Sequence, residues 1–498
     1  MSMLKPAADP RAARWLTGTL FAILVVAGWG PGFGWGLWLD ETFTAWQVDA
    51  GWRAIASTKL VNPGQSALFA YLEAPFFFPH PGVMEVALRV PALAGALLSC
   101  LFLYRLAESQ VGKGAGVLAS IVFVGSPAVV EYVSQARPYT LAMAACLASL
   151  WGLLRWLETG ARRHGWLFSI SVASILYLHL LFVLFLPVLG IVVFQRARRA
   201  PPLPWRNLAV WLAVAASLLL PLFPLARSFA RQSAGLSDVS QAPLPDLARG
   251  TVATLPGLIL LALVAVAILS FRARRPVFDA LRAPETAPTV RLLLFWLLVP
   301  PLALAAISYI VGQDVMLTRY FFYTAAAQGL MVALLLRDFP PKFARLTLFA
   351  GFLLLAVLNL AHRSVADGPD SWRAPIRALR ALDPEGAAPV FLQAGHPMSN
   401  AMDWEGGIAA HSFLYSQLSA YPIPNRVYPL PYGLDEVAQS YVRHLADGEL
   451  SRAPLIFFAG IRDLPIERWV CSFFESRGYT CRDAVATGLS LLVMRRPG

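Results

Sequence analysis

Four short segments hold the groups that could do chemistry. LWLDETFTAW carries the acidic pair Asp40 and Glu41 directly after a long apolar run. EYVSQARPYTL places Glu131, Gln135, Arg137 and Tyr139 between two further apolar runs. GQDVMLTRYFFY places Asp314, Arg319 and Tyr320 ahead of a later one, and His179 interrupts the apolar stretch 166–194. A carboxylate at the edge of an apolar environment can take a proton from an acceptor hydroxyl as a general base. Arginines at the same depth can bind phosphate through charge-assisted, often bidentate hydrogen bonds. Together these groups describe an attack that displaces a lipid phosphate. The transferred sugar would already be tethered to the lipid, so no nucleotide-sugar site is required.

Each group also has a plainer reading. Acidic residues are common just outside a spanning helix, and an Arg-Tyr pair can anchor a span at the interface. Arg137 can snorkel or pair with Glu131, and a lone His more often packs or caps a hairpin than binds a ligand. No His, Cys and Asp cluster has metal-ligand spacing, although Asp40 and Glu41 could hold one hard cation with help from water. No organic cofactor is expected.

The elements that must position these groups are membrane spans. Of 498 residues, 57% are hydrophobic and only 14% charged, too little polar surface to cover a water-exposed sphere of that size. The net charge of +12 would suit a nucleic-acid binder only if the basic residues formed a soluble face, and they do not. Runs near the length a spanning helix needs fall at 15–37, 86–104, 115–131, 139–156, 207–226, 251–271, 292–311, 320–336 and 346–361. The stretch 166–194 is awkward for one helix and has basic clusters at both ends, so it divides into two short helices meeting near His179, with Pro187 inside the second. The total is about 11 spans. Alternate loops then hold 20 basic residues on one side and seven on the other, a bias that makes the N-terminus cytoplasmic. Every candidate group above falls on the opposite, outer side. Phe43, Trp46 and Ala50 follow Asp40 at helical spacing with Trp52 nearby, which suggests a helix lying on the membrane.

After about residue 362 charges become frequent. Candidate strands at 389–394, 454–459, 480–486 and 489–495 alternate with candidate helices at 372–382, 434–447 and 465–477, the pattern of a small α/β domain. It lacks a Gly-rich strand-to-helix turn and therefore a nucleotide site. The expected division is a transmembrane unit over 1–361, with a first outer loop at 38–85, and a periplasmic α/β domain over 362–498. Cys100 and Cys146 read as apolar filler in spans, while Cys471 and Cys481 in the outer domain are equally compatible with a disulfide or two free thiols.

On these residues the chain resembles the GT-C superfamily of membrane glycosyltransferases. More specifically, it resembles bacterial relatives of glycosyltransferase family 39, which include the protein mannosyltransferase-like enzymes and the lipid A aminoarabinose and galacturonic acid transferases. The family's acidic pair after the first span is matched by Asp40-Glu41, and its ALR-plus-Pro pattern by ALRVPAL with Arg89. Its ARxYAL pattern is matched by Gln135-Ala136-Arg137-Pro138-Tyr139-Thr140-Leu141. Its hairpin His corresponds to His179, its RY pair to Arg319-Tyr320, and its WR-containing helix to Trp372-Arg373. The family's His-Pro-Pro-Leu-Tyr segment is replaced here by Asn62-Pro63-Gly64-Gln65-Ser66-Ala67-Leu68-Phe69.

The resemblance implies an inverting glycosyltransferase of the bacterial inner membrane. It would move a hexosyl or pentosyl group from a polyprenyl-phosphate-sugar donor to an envelope acceptor (lipid, glycan or protein) at the periplasmic face. Its partners are that donor, the acceptor and membrane lipids, with no nucleic acid. Asp40 is expected as the general base with Glu41 beside it in the catalytic pair. Arg137, Arg319, Tyr139 and Tyr320 are expected on the donor phosphate, with Arg89, Glu131, Gln135 and His179 in support. Two other classes stay open on sequence: a transporter or flippase for a lipid-linked glycan, and a non-catalytic membrane scaffold. Transporters tend to place polar groups near the bilayer midplane in repeated halves; here they gather at one face and no repeat is visible.

Overall fold

A computed structural model of the chain describes residues 10–58, 67–80, 82–199, 202–223, 283–311, 318–337, 371–395, 399, 413–485 and 488–497. The expected spans at 251–271 and 346–361, the family-divergent segment from Asn62 to Ser66, Asp314 and the boundary at 361/362 lie outside these residues.

The first helix, α1 (Pro10–Phe33), leads through a glycine-rich strap to α2 (Leu39–Asp49), which carries the acidic pair. Three short helices follow, α3 (Trp52–Thr58), α4 (Ala67–Glu73) and α5 (Val83–Leu88). The apolar bundle is then built from α6 (Val90–Gln110), α7 (Ala115–Val124), α8 (Pro127–Val133), α9 (Tyr139–Thr159), α10 (Arg162–Leu178), α11 (Leu186–Ala197), α12 (Trp205–Leu219), α13 (Ala287–Val311) and α14 (Thr324–Arg337). Among the described residues, five helical stretches are long and apolar enough to cross a membrane: Val83–Gln110, Tyr139–Thr159, Leu180–Ala197, Trp205–Leu222 and Ala287–Ile310. Their outward sides leave Leu98, Phe194, Leu220, Leu302 and Ile310 exposed, a surface suited to lipid chains and not to water.

The stretch 166–194 divides as its length required. α10 stops at Leu178, His179 is extended, and a 3-10 turn at Leu180–Phe185 leads into α11 with Pro187 in its first turn, where a missing N–H costs nothing. The expected single span at 115–131 is instead two helices, α7 and α8, parted at Gly125-Ser126 because Pro127 starts a new helix. Close backbone approach between α6 and α9 depends on Gly95: a Cβ there would sit 2.5 Å from the Leu141 nitrogen.

Among the described residues, the C-terminal region holds a five-stranded mixed sheet, β1 (Val390–Gln393), β2 (Val427–Leu430), β3 (Leu455–Ile461), β4 (Thr480–Asp483) and β5 (Leu489–Arg495), in the order β2-β1-β3-β5-β4. β1 runs parallel to β2 and β3, and β5 runs antiparallel to β3 and β4. Its helices are α15 (Arg373–Leu382), α16 (Ser416–Ala420), α17 (Glu436–Asp447) and α18 (Pro465–Glu475). The sequence pattern misses β2, whose four residues include Pro429; as an edge strand it tolerates the lost donor.

The two sheet faces bury different partners. One holds α17 and α18 through Val442, Leu445, Ile466, Val470 and Phe474. The other buries Val390, Leu392, Phe457 and Leu491 together with Trp372 and with Ile376 and Leu379 of α15, and with Leu37, Ala45, Met84, Leu88 and Ala136 from one end of the helical region. One apolar core therefore joins the sheet to the ends of the helices. α2 lies inside this junction. Its residues 41–48 are all buried, and Phe43 and Trp46 pack on Ala394 and Leu414 of the C-terminal region. Of the stripe read from sequence as membrane-facing, Phe43 and Trp46 are thus covered by protein, whereas Ala50 and Trp52 are exposed.

Cys471 on α18 and Cys481 on β4 are joined by a disulfide. With a separation of 10 residues, replacing either Cys by Ser is expected to cost about 2–3 kcal/mol. Faster amide exchange in α18 and β4 under non-reducing conditions would register the loss, and unchanged exchange would contradict it.

Candidate active site

The site is built on the strap between α1 and α2. Arg89, at the junction of α5 and α6 and 1% exposed, reaches under this strap. Its Nη1 donates to the carbonyls of Gly32, Phe33 and Trp35 at 2.9, 2.9 and 2.7 Å, and its Nη2 to that of Gly36 at 3.3 Å. The same guanidinium donates to both oxygens of Glu41, Nε to Oε1 at 3.0 Å and Nη2 to Oε2 at 2.8 Å. Glu41 also accepts from the backbone nitrogens of Ala136 at 2.6 Å and Trp38 at 3.1 Å. Its carboxylate thereby receives four donors while buried.

The C-terminal region holds the remaining strap groups. Arg373 Nη1 donates to the Gly34 carbonyl at 2.9 Å, the Trp372 nitrogen to the Leu37 carbonyl at 3.1 Å, and the Leu37 nitrogen to Tyr421 Oη at 2.7 Å. Tyr421 in turn donates to Glu85 Oε1 at 3.1 Å, which also receives Arg373 Nη2 at 2.8 Å. Every carbonyl from Gly32 to Leu37 is accounted for. Gly36 is required by this closeness, since a Cβ there would sit 2.0 Å from Ser371 Oγ.

On the far side of α2 the Asp40 carboxylate meets both arginines singled out from sequence. Arg137 Nη2 lies 3.2 Å and Arg319 Nη1 3.1 Å from the same oxygen, Oδ2. Arg137 Nη1 also donates to the Asp40 carbonyl at 3.2 Å. Aromatic rings wall this cluster. Tyr139 lies under the Arg137 guanidinium at 5.7 Å and beside His179 at 5.3 Å; Tyr320 lies 5.6 Å from His179 and 5.5 Å from the Arg319 guanidinium, which also faces Trp38 at 5.9 Å. Tyr132 closes the back against Tyr139. Residues far apart in sequence, 40, 137, 139, 179, 319 and 320, thus converge. Glu131 sits on α8 ahead of the Arg137 turn, and Arg137 pairs with Asp40.

Several polar atoms of this cluster are buried with no hydrogen-bond partner among the described residues: Arg137 Nε, Arg319 Nε, His179 Nδ1 and Trp38 Nε1. Buried donors and acceptors are ordinarily satisfied, so such a concentration around one carboxylate points to a polar ligand. Among the described residues, two guanidiniums against one carboxylate, next to the self-neutralised Glu41–Arg89 pair, leave an excess of positive charge, and an anion is the partner it suits.

Sequence reasoning missed Glu73 on α4. It is fully buried, neither carboxylate oxygen has a partner among the described residues, and it lies near Glu41 and Arg89. Burial, reinforced by Glu41 and partly offset by Arg89, raises its pKa well above the usual carboxylate range. The available signal was a lone acid inside the apolar run ALFAYLEAPFFF. Tyr421, Glu85 and Arg373 of the strap latch were also not singled out as a set. Among the described residues no group of three or more His, Cys, Asp or Glu could hold a metal ion.

Known proteins share this architecture. The crystal structure of ArnT from Cupriavidus metallidurans bound to undecaprenyl phosphate superposes with a TM-score of 0.59 at 12% identity, covering 97% of this chain and 98% of that one. The Archaeoglobus fulgidus oligosaccharyltransferase in its apo form gives 0.50 at 13% identity, over 89% and 69%. The chain has the GT-C fold. Within it, residues 68–221 match the family described as dolichyl-phosphate-mannose-protein mannosyltransferase, a stretch of the GT-C fold that contains Arg89, Arg137, Tyr139 and His179. A complex of the A. fulgidus enzyme with Zn and sulfate also aligns, with a TM-score of 0.50 at 15% identity over 89% and 67%. No curated protein matches the chain in sequence.

Removing one member of a buried ion pair leaves the other uncompensated. Arg89→Met is expected to destabilise the protein by about 3–5 kcal/mol, seen as a lower thermal midpoint in detergent, and adding Glu41→Leu should restore part of it. An unchanged midpoint for Arg89→Met would remove the pair from this role.

Proposed function

We propose that the protein is a glycosyltransferase that moves a sugar from a polyprenyl-phosphate-linked donor to an envelope acceptor at the periplasmic face of the bacterial inner membrane. The observation that carries this reading is Asp40 set between Arg137 and Arg319, a base and an anion clamp at one edge of an apolar helical region. ArnT, which shares the fold, is described as bound to undecaprenyl phosphate, and the donor class is carried over from it. The outward assignment draws on the loop charge bias and on the Cys471–Cys481 disulfide, which suits an oxidising compartment. In this reading residues 1–361 form the transmembrane catalytic unit, and residues 362–498 form a periplasmic domain that covers the site and meets the acceptor.

The acceptor oxygen attacks the anomeric carbon and its proton passes to Asp40. The bond from that carbon to the phosphate oxygen breaks, and the electron pair stays on the departing polyprenyl phosphate. A single displacement inverts the anomeric centre. Negative charge grows on the phosphate as the bond breaks, and Arg137 and Arg319 stabilise it, the kind of preorganised electrostatic contribution that dominates many enzymes. Tyr139 and Tyr320 donate to phosphate or sugar oxygens. Gln135 and His179 add polar contacts, and Glu131 supports the turn that carries Arg137. Glu41, whose lone pairs are all taken, positions Asp40 and does not exchange protons with substrate; Arg89 holds it there. No step needs a metal or an organic cofactor.

Asp40→Asn should insert and fold normally yet lose transfer by about 10²–10⁴-fold, the span of general-base contributions. Turnover of a lipid-linked sugar at the wild-type rate by the purified variant would end the assignment. Arg137→Ala should weaken donor binding, and an unchanged donor affinity would make Arg137 a structural partner of Asp40 only.

A further inference from the structure

Resting on the glycosyl-transfer reading above, we propose that Asp40 and the donor phosphate compete for the same two guanidiniums, so that donor binding itself releases Asp40 to act as base. Both arginines contact one oxygen, Oδ2, at 3.2 and 3.1 Å. A carboxylate that accepts a charge-assisted hydrogen bond from one guanidinium and is ion-paired with a second is held in its ionised form and is a poor proton acceptor, whereas a general base works best with an affinity for protons matched to its working pH. The ligand-free arrangement is therefore a masked one.

The same arrangement contains the means of unmasking. Each arginine keeps a buried Nε without a partner among the described residues, so neither has reached its bonding capacity on Asp40. Among the described residues, Arg137 and Arg319 are the charged side chains paired with the Asp40 carboxylate, and Glu41 is committed to Arg89. A phosphate offers several oxygens to two planar forks and is the better bidentate partner. Both side chains also have anchors that do not involve the carboxylate. Arg137 donates to the Asp40 carbonyl, and Arg319 stacks near Trp38 and Tyr320, so a small turn of each guanidinium hands it from carboxylate to phosphate. Donor must then bind before the acceptor hydroxyl can lose its proton, and the empty site holds no active base that would deprotonate water.

The competition has a signature that runs against the usual effect of deleting an active-site residue. With farnesyl phosphate in detergent as the probe, Asp40→Asn is expected to bind about tenfold more tightly than wild type, because the guanidiniums no longer have to leave a carboxylate. Asp40→Ser should move the same way. In an Arg137→Ala/Arg319→Ala background, adding Asp40→Asn should change affinity by less than about twofold. Unchanged or weaker binding by both Asp40 variants would overturn the competition. Equal tightening in the arginine-less background would do so too, since it would mean plain repulsion between Asp40 and phosphate. If neither wild type nor Asp40→Asn binds farnesyl phosphate, the donor reading falls and takes the competition with it. If both bind equally, only the competition falls.

Discussion

Arg89 is the constraint on which the rest of the structure depends. Its guanidinium is buried between α1, α2 and α6, a position that costs several kcal/mol of desolvation per ion unless every donor finds an acceptor. Here the acceptors are both oxygens of Glu41 and four consecutive-region carbonyls of the strap. A strap with its carbonyls turned inward cannot also be a helix, so α1 must end and α2 must begin on the far side of Arg89. That places Asp40 at the start of α2 and points its side chain away from Glu41, toward Arg137 and Arg319. The order of the acidic pair follows: one carboxylate fixes the helix and the other is presented to Arg137 and Arg319.

The C-terminal region completes this fixation. Arg373, Trp372 and Tyr421 supply the strap contacts that Arg89 does not reach, and a shared apolar core runs from the sheet to Leu37 and Leu88. Because the domain is bonded to the residues just before Asp40, it acts as part of the scaffold.

Much of this was legible in the sequence, and the remainder was not for a definable reason. Long apolar runs gave most helices, the charge bias forced the break at His179, and the candidate groups Asp40, Arg137, Tyr139, His179, Arg319 and Tyr320 converge as their common placement on one side required. Periodicity and charge counting work there because they are local or additive. Contacts between distant segments have no such signature. Arg89 was visible only as part of a short pattern, although its partner Glu41 lies 48 positions away, and the Tyr421 hydroxyl meets the Leu37 nitrogen across 384. Glu73 went unread because an apolar run hides a single acid. The stripe Phe43-Trp46 reads as a face lying on the membrane, yet packs on Ala394 and Leu414, because amphipathicity reveals that a face is covered without revealing what covers it.

The central claim is that this chain consumes a lipid-phosphate-linked sugar. Mass spectrometry of envelope lipids and glycans from a strain lacking the protein tests it most directly. The account predicts loss of one sugar from an envelope component together with accumulation of the matching polyprenyl-phosphate sugar, both reversed by the wild-type chain. An envelope profile that is unchanged in sugar content and in lipid-linked donor would contradict it.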